Sequence, residues 1–106
     1  MRTITHLAVK KFMSMENFSR GNTQVFNGDE VKLCLHGNNI ATIKDNGLFI
    51  TNCGWFSNTT KERLNGLLGS LGRIGIQQRN FKWYLDEKEW DGSLVKLLPN
   101  NDWEYV

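Results

Sequence analysis

Asn27-Gly28 and Asn46-Gly47 each stand between alternating or apolar runs, and these two pairs constrain the fold more than any other feature of the chain. Asn and Gly tolerate the positive φ of a tight hairpin turn, so an Asn-Gly pair so flanked reads as a β-hairpin. The first pair joins Thr23–Phe26 to Val31–His36, where Val31, Leu33 and Leu35 alternate with Lys32, Cys34 and His36. A period of two puts the first set on a buried face and the second on the opposite one. Gly37-Asn38-Asn39 reads as a turn and Ile40–Lys44 as a short strand, and Asn46-Gly47 leads into Leu48–Cys53. Residues 23–53 are thus predicted to form an antiparallel meander of four strands. The 12 asparagines and 10 glycines imply many tight turns.

Beyond Gly54–Asn58 the period changes. Leu64, Leu67, Leu68 and Leu71 fall at i, i+3, i+4 and i+7, one apolar stripe of a helix over about 60–70 that packs on the sheet. Thr59-Thr60-Lys61-Glu62 is a capping-box sequence, with Thr59 as the expected N-cap, and Gly69 and Gly72 end the helix. Arg73–Gln78 and Phe81–Leu85 read as a hairpin across Arg79-Asn80, with Phe81 and Trp83 facing the core and Lys82 and Tyr84 facing out. Asp86–Gly92 reads as a solvated acidic turn, Ser93–Leu98 as a last strand stopped by Pro99, and 100–106 as a tail. Ile4, Leu7, Ala8 and Met15 favour a helix across 5–17 over a strand at Thr3-Ile4-Thr5. The expected fold is α+β, an antiparallel β-meander sheet with one amphipathic helix packed on it. It is a single domain, 1–106, with 1–18 and 99–106 peripheral.

Length and composition agree. A chain of 106 residues holds one domain, and 40% hydrophobic with 11% aromatic residues suffices for a core. No run approaches the ~20 apolar residues of a membrane span. The start has no long apolar stretch and no small-residue cleavage site, so no signal peptide is expected. Two cysteines form no disulfide framework, which favours a reducing compartment.

Catalytic constellations are weak. Cys34 and His36 would be neighbours on one strand face, but nothing activates the thiol. His6, Cys34, His36 and Cys53 lack the paired spacing of structural zinc sites, so no metal and no cofactor is expected. Asp86, Glu87, Glu89 and Asp91 crowd a turn whose solvation gives no reason for shifted pKa values. The glycine-rich run Gly66–Gly72 ends a helix instead of opening one. The reading is of a protein that is not an enzyme.

Binding chemistry is better represented. The helix start at Asn58-Thr59-Thr60-Lys61 offers free amides, two hydroxyls and the charges of Lys61 and Arg63. Arg79, Lys82 and Tyr84 lie in the second hairpin, where aromatics can stack on bases while cations hold phosphates. Trp55 and Phe56, if they do not pack inward, favour a protein partner. Residues 1–85 carry 11 basic and 5 acidic side chains, a net +6, and residues 86–106 carry 2 and 6, a net −4. Such asymmetry arises either from a nucleic-acid surface with an acidic tail or from internal pairing, and the chain's net charge of only +2 favours pairing.

Several motifs in order resemble a family. They are Leu35-His36-Gly37-Asn38-x-Ile40-Ala41, Leu48-x-Ile50-Thr51-Asn52-x-Gly54-Trp55, Thr59-Thr60-Lys61-Glu62-Arg63-Leu64-Asn65-Gly66-Leu67, Gln78-x-x-x-x-Trp83-Tyr84-Leu85 and Trp90-Asp91-Gly92. Over roughly 19–92, starting at Gly21-Asn22-Thr23, the chain resembles a group of small proteins of tailed phages and prophages. The resemblance supplies no reaction, ligand or site residue. It implies a phage accessory protein in the bacterial host cytoplasm, not at a membrane. The expected function is non-catalytic binding to a host protein or protein complex, such as one that handles nucleic acid or serves defence. The alternative is direct nucleic-acid binding through the 58–63 helix start and the 73–85 hairpin.

Overall fold

Each predicted hairpin forms, with its turn placed by backbone torsion. The computed structural model describes residues 2–106, which form two helices and ten strands in two antiparallel sheets, an α+β fold. After helix α1 (Thr3–Met13) come β1 (Phe18–Arg20), β2 (Thr23–Asn27), β3 (Val31–Leu35), β4 (Asn38–Lys44) and β5 (Gly47–Ile50), each beside the next. The turn between β4 and β5 is Asp45-Asn46, one residue ahead of the Asn-Gly pair, with φ of 50° and 59°. Asp and Asn both tolerate that conformation. Gly47 thereby enters the strand, where a Cβ would meet the Phe49 ring at 3.1 Å and the Lys96 stem at 3.2 Å. The turn before β4 is likewise one residue early, at His36-Gly37. Asn27-Gly28 opens a three-residue loop, because Asn27 pairs with Val31.

Strand β3 keeps unbroken register with β2, while β4 carries one extra residue, Ile40, between the partners of Leu33 and Cys34. An extra residue on one strand turns the next side chain to the other face. Ile40 and Ala41 are therefore both buried; Cys34 is buried as well, while His36 lies exposed in the turn, and the two do not share a strand face.

Helix α2 (Asn58–Ser70) begins one cap earlier than expected. Ser57 is the N-cap, and its Oγ accepts from the Thr60 amide at 3.1 Å. Thr59 lies inside the helix and forms no capping box. Leu64, Leu67 and Leu68 are fully buried, but Leu71 is 39% exposed. It falls just past the last helical turn, where Gly72 reverses the chain at φ 73°. The amides of Gly72 and Arg73 then bond to the carbonyls of Gly69 and Leu68, a Schellman ending.

The second sheet holds β6 (Ile76–Arg79), β7 (Lys82–Leu85) and β8 (Lys88–Trp90). Arg79 pairs with Lys82, so Asn80-Phe81 is the turn, and Phe81 is 95% exposed instead of core. The supposed acidic turn contains β8, entered through Asp86-Glu87, with Trp90 buried opposite Trp83.

Neither end is peripheral. Ala8, Val9 and Phe12 of α1 join the core through contacts with α2, β2 and β3. Strand β9 (Val95–Leu98) adds to β5, and Asn100-Asn101 turns the supposed tail into β10 (Asp102–Tyr105). Trp103 of β10 is buried, and its Nε1 donates to the Leu85 carbonyl at 2.8 Å. Both ends bury apolar side chains in the core, and burying such area is the main drive to ordering them.

Candidate binding surface

Of the expected basic stripe, Arg63 is the residue that folding removes. It is 1% exposed, on the inner face of α2. Its Nε donates to Thr23 Oγ1 at 3.0 Å, its Nη1 to Thr5 Oγ1 at 2.7 Å and its Nη2 to Asn22 Oδ1 at 3.3 Å. Glu62 supplies the counter-charge and also accepts from the Thr5 hydroxyl and the Arg2 amide. A buried guanidinium is tolerated only with its donors met and its charge paired, and both conditions hold here. Burial would raise the Glu62 carboxyl, but the Thr5 and Arg2 hydrogen bonds and the Arg63 charge outweigh it and hold it below its ordinary value.

Two of the other cations are matched by residues 86–91. Arg79 lies 3.9 Å from Glu87 and Lys82 lies 3.5 Å from Glu89, both pairs exposed. Lys61 donates to Gln78 at 3.0 Å. The Arg79 guanidinium stands 4.4 Å over the Tyr84 ring, so that face of the ring is already covered. Arg79 and Lys82 thus sit beside neutralising partners, which flattens the field the stripe would have projected, while Lys61 meets only a neutral amide.

Trp55 and Phe56 do stand outward, 60% and 54% exposed. They follow a tight structure at Asn52, whose Oδ1 accepts from the Gly54 amide at 2.8 Å and whose carbonyl accepts from the Trp55 amide at 2.9 Å. Phe56 meets Trp83 edge to face at 5.0 Å, so the loop is seated on the second sheet. Trp55 walls a cleft of 380 Å³ bounded by His36, Asn38, Asn52 and Thr59. Sequence reasoning passed over Asn52 and the cleft role of His36. The Asn52-x-Gly54 spacing was the available signal for the turn that aims Trp55.

Cys34 and Cys53 are free, burial pushes both thiols up, and Cys53 donates to the Asn39 carbonyl at 3.2 Å. Among the described residues no three His, Cys, Asp or Glu side chains group closely enough to hold a metal ion, and no helix is long and apolar enough to cross a membrane.

A family model described as Kyanoviridae Gp96 protein matches residues 1–103. No curated protein and no solved structure matches the chain.

Proposed function

The chain belongs to the Kyanoviridae Gp96 protein family, a phage family, and on that premise we propose that it acts by non-catalytic binding to a host protein or protein complex in the bacterial cytoplasm, inhibiting a target that handles nucleic acid or serves defence. The observation that carries this reading is the adjacent, outward pair Trp55 and Phe56. Large aromatics anchor protein interfaces because each removes much apolar area from water at little conformational cost. The Asn52 turn and the Trp83 contact hold this pair in place before any partner arrives, which lowers the ordering cost of association. Direct nucleic-acid binding draws less support, since Arg63 is buried and Arg79 and Lys82 face acidic partners.

Affinity capture from infected cells, treated with nuclease, tests the reading when the wild-type chain is run beside Phe56→Ser. One host protein retained in fixed stoichiometry by the wild type and lost with Phe56→Ser is the expected result. Retention that nuclease abolishes, or salt-steep binding of a random oligonucleotide by the purified chain, would overturn it.

A further inference from the structure

We propose that the cleft beside Trp55 is a binding site for a nucleoside monophosphate. The inference shares Trp55 with the protein-partner reading, and Phe56, which does not line the cleft, separates the two. Its volume of 380 Å³ lies within the range of small-molecule sites.

The walls offer donors and no carboxylate. Asn52 lines the cleft and is fully buried; its Oδ1 is committed to the Gly54 amide, while its Nδ2 has no hydrogen-bond partner. A buried donor left without an acceptor is costly, and an acceptor atom on a ligand is what this group lacks. His36 adds a second donor. Asn22 turns its Oδ1 to the Thr23 hydroxyl at 2.8 Å and to Arg63 at 3.3 Å, which leaves its Nδ2 facing His36 Nε2 at 3.4 Å. An amide nitrogen only donates, so Nε2 is the acceptor in that contact and Nδ1 is the ring nitrogen left to donate.

The start of α2 forms the third wall. Ser57 takes the amides of Thr60 and Lys61, which leaves the Thr59 amide and hydroxyl for an anion at the positive end of the helix. Trp55 supplies an exposed indole on which a base can stack. An acceptor-rich ligand with one planar ring and one phosphate meets these groups together, whereas phosphate or a nucleoside alone meets only some of them. A free nucleotide and the 5′ end of a strand share this chemistry.

Trp83, Trp90 and Trp103 are buried, so quenching of tryptophan fluorescence by a ligand reports Trp55. Adenosine 5′-monophosphate should quench saturably, with adenosine and inorganic phosphate each weaker by about tenfold or more. Trp55→Leu should abolish the quench, and Phe56→Ser should leave it unchanged. Thr59→Val and His36→Asn should each weaken binding by about tenfold, the effect of one lost hydrogen bond to a charged or buried partner. Asn suits the left-handed backbone at position 36, φ 51°, so folding is retained there. A 5′-phosphorylated dinucleotide that binds more tightly than the mononucleotide supports the site with a strand end as its source, and a weaker one supports it with free nucleotide. Absence of saturation at millimolar nucleotide, equal binding of adenosine or phosphate alone, or wild-type affinity in both Thr59→Val and His36→Asn would overturn the proposal.

Discussion

Asp86 Oδ2 lies 2.7 Å from Arg73 Nη2, with the aspartate side chain wholly buried and the arginine nearly so. The pair joins three parts of the fold. Asp86 also accepts from the Gly75 amide at 2.8 Å, and Arg73 donates to the carbonyls of Leu98 at 2.7 Å and Asp102 at 2.6 Å. The segment leaving α2, the second sheet and the β9–β10 hairpin therefore meet at one charge pair. The basic and acidic portions of the chain neutralise each other inside the molecule here, as they do on its surface at Arg79–Glu87 and Lys82–Glu89.

Arg73→Ala leaves the Asp86 carboxylate buried without its counter-charge. A loss of about 3–5 kcal/mol in unfolding free energy by urea titration is expected. A loss below about 1 kcal/mol, the range of an exposed pair, would show that the pair is solvated.

Ser57→Ala should cost on the order of 1 kcal/mol, because the Thr60 amide loses its acceptor at the start of α2. Thr59→Ala should change the denaturation midpoint far less, since Thr59 caps nothing. The reverse order of the two variants would restore the capping box at Thr59.

Gly92 has φ 88°, and a Cβ there would come within 2.3 Å of both Asn52 carboxamide atoms. Gly92→Ala combines a strained backbone with a clash against a buried side chain, so a loss of roughly 2–4 kcal/mol is expected. The amide NMR signals of residues 51–57 should shift in the same variant, because Asn52 directs that loop. Wild-type stability would show that Asn52 moves aside freely.

Glu62 has its carboxyl held low in the folded state, so the unfolded chain binds a proton there first as pH falls. The stabilisation is present above the unfolded glutamate value of about 4.3 and is lost as pH falls through the lower folded value. Thermal melts should therefore show wild type losing stability below about pH 4.3, with part of that slope missing in Glu62→Gln. Equal slopes in the two proteins would remove Glu62 from the acid response.

The sequence by itself determined what depends on near neighbours. Alternation in Val31–Leu35 and the spacing of Leu64, Leu67 and Leu68 set strand and helix with their inner faces, because a side chain's direction repeats with the local backbone period. Turn positions came within about one residue, since Asp, Asn and Gly all tolerate positive φ and only pairing register chooses among them. The outward aromatics of the candidate site were legible as a conditional, Trp55 and Phe56 standing free if nothing covered them. Tertiary structure decided the rest. Arg63 looked like a surface cation because its partners Thr5, Asn22 and Thr23 lie about 40 to 58 residues away. Asn52 looked like a loop residue until Gly92 closed over it. Strand β9 pairs with β5, and α1 packs on α2, across separations no local pattern encodes. Burial and ion pairing depend on which distant segments meet, and that is settled by the apolar area the whole chain can remove from water at once.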